Sequence, residues 1–160
     1  MIFQSVKLLA PRTSALHRIG ESSQIRIGYA RVAPWRRAGD GSALDRDLAA
    51  CHDLSKSLGA IPIFIECRHS ELVPGLHVGA LDLAVGGLVD QSYPQITCIT
   101  VRHPGNQLRD AYRRVLFRNV WCIRRGDLAW AALLCCFVER RRLRFACLTK
   151  TVRGIMRPSK

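Results

Sequence analysis

At 160 residues the chain is long enough to bury a hydrophobic core as one domain, and 48% hydrophobic with 7% aromatic residues is globular usage, which excludes intrinsic disorder. The net charge is +13 and unevenly spread: residues 1–101 hold ten Lys/Arg against nine Asp/Glu, residues 102–160 fifteen against three. Such asymmetry favours a polyanionic partner over mere solubility. The longest apolar run, 128–138, is far too short to cross a bilayer, so no transmembrane helix is expected.

In chain order, residues 1–23 lack the apolar core of a secretory signal and read as a flexible basic leader. Gln24 to Val32 alternates well enough for a strand, ended by Pro34, and 35–41 reads as a loop. A helix is expected from Ser42 to Leu58. Ser42 suits its N-cap, Leu44, Leu48, Cys51 and Leu58 share one face, and Gly59 fits the position after its end. Residues 60–66 read as a short buried strand, with Pro62 favouring a sheet edge. Pro74-Gly75 punctuates the chain before a helix over 76–89. The glycines at 79, 86 and 87 argue against that helix, at about 1 kcal/mol each relative to Ala. Residues 95–101 are β-branched and bounded by prolines, a strand. A basic amphipathic helix follows over 106–118, then a helix capped by Asp127 and running to Glu139, a strand over 143–149 and a basic tail over 151–160. The alternation of strands and helices implies a three-layer α/β domain over residues 24–150, with a mainly parallel sheet covered by helices on both faces. No internal repeat is present.

Seven cysteines, with no Cys-x-x-Cys pair, argue against a disulfide framework and against a zinc knuckle. Cys51-His52 with Cys67 and His69 matches no metal-ligand spacing, so no metal and no cofactor is expected. A reducing cytoplasm is the simplest setting. At the end of the first strand, Arg31 offers a planar fork to an anion at the sheet edge where α/β proteins bind ligands.

Ile27-Gly28-Tyr29-Ala30-Arg31-Val32 resembles the opening strand of the serine site-specific recombinases, the resolvase/invertase group, which reads I-G-Y-x-R-V-S. Leu48 to Cys51 with Leu58-Gly59-Ala60, Val73 to Leu76, and Arg144 to Thr149 are similar to later parts of that catalytic domain. The resemblance implies DNA strand exchange by a serine nucleophile, with arginines stabilising the phosphate. Ala33 stands at the nucleophile position. In the Asp-Arg-x-x-Arg cluster, placed after His103-Pro104, Gly105 and Asn106 replace the first two residues and Arg109 keeps the last; an alternative register near Cys122 to Arg125 also lacks the Asp, so the cluster is broken either way. The resemblance therefore implies a non-cutting relative that binds DNA phosphates, through Arg31, Arg109, Arg113 and Arg114, or binds a partner recombinase or further copies of itself. The alternatives are an active enzyme with a relocated nucleophile, for which Ser42 is the test case, and a non-enzymatic interaction protein or decaying remnant. The basic run Arg140-Arg141-Arg142 suits a helix C-terminus, and an anionic membrane surface ranks below DNA as partner.

Overall fold

The computed structural model describes residues 14–31, 41–86, 94–101 and 120–155. The elements are α1 (Ala15–Ser22), β1 (Gln24–Tyr29), α2 (Gly41–Ser57), β2 (Ile61–Glu66), α3 (His69–His77), β3 (Leu83–Val85), β4 (Ile96–Thr100), β5 (Val120–Arg124) and α4 (Leu128–Ile155). They build a five-stranded sheet in the order β2-β1-β3-β5-β4. β1 pairs in parallel with β2 and with β3, while β5 runs antiparallel to both β3 and β4. Four of the described strands thus share one direction and β5 opposes them. The expected mainly parallel α/β sheet is present, with one reversed strand that the sequence reading lacked.

Alternation along the strands sends side chains to two separate cores. On one face Ile25, Ile27 and Tyr29 of β1, Leu83 and Val85 of β3, Ile99 and Val101, and Trp121 and Ile123 of β5 pack against α1, α2 and α4. On the other, Ala84, Ile96, Val120 and Cys122 pack with Leu72 and Leu76 of α3 and with Leu81. Close packing on that second face requires glycine at residue 28, because a Cβ there would lie 2.4 Å from Leu81 Cδ1. The edge strand β2 is the most open, with Ile61 61% exposed.

Two carboxylates organise the amino edge of the sheet. Asp82, just before β3, is 3% exposed in its side chain. It accepts from the backbone N–H of Arg26 at 2.7 Å and from that residue's guanidinium, and it is ion-paired with Arg18 of α1. Arg26 also donates to the Gly79 carbonyl at 2.6 Å, and Trp130 Nε1 of α4 donates to the Asp82 carbonyl at 2.8 Å. Asp127 caps α4 as expected, accepting from Trp130 N at 3.3 Å, and also accepts from Ser14 Oγ at 2.8 Å and Ala15 N at 2.6 Å. One carboxylate therefore caps two helices, α1 and α4. A third, Asp47 of α2, is fully buried and accepts from Trp121 Nε1 at 2.9 Å.

Several sequence expectations change here. Residues 15–22, read as part of the leader, form α1 with Ile19 in the core. The helix expected over 76–89 lies earlier, with Pro74-Gly75 inside α3. Gly79 (φ +76°) then turns the chain and Gly86 (φ +66°) leaves β3, both in the left-handed region that glycine tolerates. The strand expected over 143–149 is helical: α4 runs from Leu128 to Ile155, and no Gly or Pro interrupts it before Gly154. A formed helix adds residues at low cost, so without a breaker it propagates through the short alternating stretch. Strand β5 was not anticipated. The helix expected over 106–118 lies outside the described residues.

Replacing Asp82 by Asn keeps its shape and removes the charge that Arg18 and Arg26 share. The expected loss of stability is about 3 kcal/mol, since breaking a buried pair leaves cations without compensation. Urea unfolding at pH 7 checks this, with an unchanged m value showing that the fold itself persists.

Candidate functional site

The connection from β1 to β2 passes through α2 on one face, and that from β2 to β3 passes through α3 on the other. Because β2 and β3 flank β1, the β1-to-β2 and β2-to-β3 connections run in opposite directions across the sheet, and the carboxyl ends of β1, β2 and β3 lie at one edge. In open α/β sheets such a reversal is where ligands bind. The described residues at this edge include Tyr29 to Arg31 at the end of β1, Glu66 to His69 from the end of β2 to the start of α3, Val85 and Gly86 at the end of β3, and Thr100 and Val101 at the end of β4.

The polar groups there converge on one carboxylate. Tyr29 and Glu66 are register partners across β1 and β2, and Tyr29 is held in the core with its hydroxyl donating to Glu66 Oε2 at 3.3 Å. Arg31 Nε donates to the same oxygen at 3.0 Å, and its guanidinium carbon lies 5.9 Å from the Tyr29 ring centroid. The hydrogen bonds to Glu66 and to Tyr29 raise the Arg31 pKa further, so this cation is permanent. Arg31 and Glu66 are 66% and 54% exposed in their side chains, so solvent reaches both. Next to them the chain turns into α3, where Arg68 N donates to Glu71 Oε2 at 2.9 Å. The result is a solvent-facing cation and anion side by side, anchored by a buried tyrosine at the ends of adjacent strands.

Of the sequence-derived site residues, Arg31 stands at the carboxyl edge as expected, with Glu66 as partner. Ala33, Arg109, Arg113, Arg114 and His103 lie outside the described residues. Ser42 falls in the first turn of α2. Arg141 is ion-paired with Asp53 of α2, and Arg142 bonds to Glu139 on its own helix. Glu66 was missed. It closes the strand expected over 60–66, and as a charged residue at a strand's carboxyl end it meets the same criterion as Arg31, two residues past β1. Among the described residues no group of His, Cys, Asp and Glu could hold a metal ion, and no helix is long and apolar enough to cross a membrane.

No protein-family model matches the chain, and no curated protein matches it. Solved structures do. A point mutant of the arginine-bound form of domain 1 from TmArgBP superposes with a TM-score of 0.63 at 11% identity, covering 80% of this chain and 98% of that one. An ancestral cationic amino acid solute-binding protein, AncCDT-1, gives 0.56 at 13% identity over 81% of this chain and 94% of that one. An ancestral cyclohexadienyl dehydratase, AncCDT-3, gives 0.57 at 14% identity over 88% and 95%. At these identities the likeness is one of fold alone.

The recombinase resemblance is thereby overturned. The structural neighbours named above are amino-acid-binding domains and an ancestral dehydratase, not recombinases, and the motif at 144–149 falls in a helix instead of a strand. The readings of DNA recombination, a degenerate resolvase and DNA as partner fall with it, because those neighbours are described as binding amino acids. The best-populated part of that resemblance, Ile27 to Val32, spans six residues and marks only a buried parallel strand, a feature that unrelated α/β folds share.

Cys51 illustrates what became of the candidate ligands. It is buried on α2, and burial pushes its thiol pKa well above the ordinary value, with nearby Asp47 adding to the shift and Arg141 opposing it. The folded state therefore holds this thiol neutral. Its contribution to stability is complete below the unfolded thiol's pKa of about 8.5 and is lost as pH rises toward the higher folded value. Urea unfolding between pH 7 and pH 10 is expected to show a steeper decline for the wild type than for Cys51→Ala; parallel declines would contradict the assignment.

Proposed function

We propose that the chain is a ligand-binding domain for a zwitterionic amino acid, held at the carboxyl edge of β1, β2 and β3. The observation that carries this reading is the Arg31–Glu66 pair at the ends of adjacent strands, 3.0 Å from Nε to Oε2 and open to solvent. Its two charges match those of an amino acid's backbone. The guanidinium accommodates a carboxylate in its planar fork, and Glu66 accepts from an ammonium. An exposed ion pair of this kind contributes about 0–1 kcal/mol to stability, so re-forming its bonds against a ligand costs the fold little. Tyr29 stays in the core and holds Glu66 in place, which limits the ordering that binding must supply. The likeness of fold to domains described as arginine-bound and as binding cationic amino acids supports amino acids as the ligand class.

A thermal-shift screen of the twenty amino acids, followed by calorimetric titration of the hits, tests the proposal. The expected outcome is a saturable rise in Tm with at least one amino acid, as binding to the native state alone requires. Arg31→Ala and Glu66→Ala are each expected to weaken that binding at least tenfold, on the order of 1.5–3 kcal/mol for a hydrogen bond to a charged group. Both positions are exposed, so the free proteins should melt within about 0.5 kcal/mol of the parent. Absence of any shift at millimolar concentrations, or binding indifferent to both substitutions, would refute the reading.

A further inference from the structure

We propose that Cys98 and Cys122 form a disulfide across the β4–β5 pair, a covalent modification site that staples the edge strand of the sheet. Cys98 and Cys122 are directly opposed in the antiparallel register of the two strands. Their side chains point to the same face, where both join the core beneath α3. The Sγ atoms are 3.0 Å apart. Directly opposed residues in antiparallel strands hold their Cβ atoms about 4.5–5.5 Å apart, close to the 3.5–4.5 Å that a disulfide needs, so bridging requires side-chain rotation and little backbone movement. The pairing also falls at the sheet's narrowest joint. Residue 122 is the register partner of Ala84, the one residue pair that connects β3 to β5, and of Cys98 on its other side.

The chemistry is thiol–disulfide exchange with a small or protein disulfide such as glutathione disulfide as oxidant. Cys98 is the more accessible of the two and Cys122 is buried. The Cys98 thiolate attacks one glutathione sulfur, forming a mixed disulfide and expelling one glutathione thiolate. The Cys122 thiolate then attacks the Cys98 sulfur, closing the bridge and expelling the second. The protein pair loses two electrons and two protons, and one glutathione disulfide becomes two glutathione thiols. The bridge closes a loop of about 25 residues, which restricts the unfolded chain far more than the folded one. The inference stands apart from the ligand reading, since neither cysteine belongs to the Arg31–Glu66 site.

Trypsin makes the test unambiguous, because peptide 69–102 contains Cys98 alone and peptide 119–124 contains Cys122 alone. The full chain is incubated with glutathione disulfide, remaining thiols are blocked with N-ethylmaleimide in denaturant, and the digest is mapped without reductant. The expected product is 69–102 joined to 119–124. Recovery of both peptides carrying maleimide, or either joined to another cysteine peptide, would overturn the proposal. Oxidation of the wild type should raise Tm by about 10 °C. Cys98→Ser should show no such rise, and a rise that survives this substitution also overturns the proposal. If that variant does not fold, the peptide map of the wild type decides alone.

Discussion

The carboxylate of Asp82 holds together parts of the chain that nothing else described joins so directly. It is 3% exposed, and a buried charge is tolerated only when paired and hydrogen-bonded. Here it meets a backbone N–H and a guanidinium from β1 and a second guanidinium from α1. Its own carbonyl takes the indole N–H of Trp130, which brings α4 to the same point. The α3–β3 turn, the first strand and two helices of one layer therefore share a single polar knot at the amino edge. Asp127 extends it by capping α1 and α4 together, and Asp47 does similar work for α2 and β5 through Trp121.

With the amino edge fixed in this way, the proposed ligand site falls at the opposite, carboxyl edge. With β1 flanked by β2 and β3, right-handed crossovers put α2 and α3 on opposite faces, and the winding reverses at the carboxyl edge of these strands. The contrast between the two edges is instructive. At the amino edge the Asp82 charge is buried and shared by two arginines, which suits a permanent structural role. At the carboxyl edge the Arg31–Glu66 pair is more than half exposed, which suits exchange with a ligand. The same residue chemistry thus differs between the two edges in burial, which is what separates the structural pair from the proposed recognition pair.

Much of this fold was legible in the residues. The strands at 24–29, 61–66 and 96–100, helix α2 and the Asp127 cap follow from alternation, helical spacing and capping chemistry, all of which are local. Arg31 was legible as an edge residue because strand direction and the preference of ligands for carboxyl ends are general rules. What failed needed long-range information. Leu143 to Thr149 alternates like a strand, yet the helix that precedes it meets no breaker. Strand β5 is short, and its reversal depends on pairing with β3 and β4, which no local pattern announces. The Cys98–Cys122 juxtaposition depends on that same register, so a cysteine count without it argued the other way. The motif at 27–32 misled because buried opening strands of α/β domains draw on the same few residue types whatever the domain does.

The most direct measurement of the central claim is a ¹⁵N–¹H correlation titration of the full chain with the amino acid that gives the largest thermal shift. Binding at the carboxyl edge requires saturable shifts concentrated at residues 29–31, 66–69 and 85–86, with the amides around Asp82 and Asp127 essentially still. Shifts confined to the amino edge or to α4, or no saturable shift at all, would contradict the placement of the site.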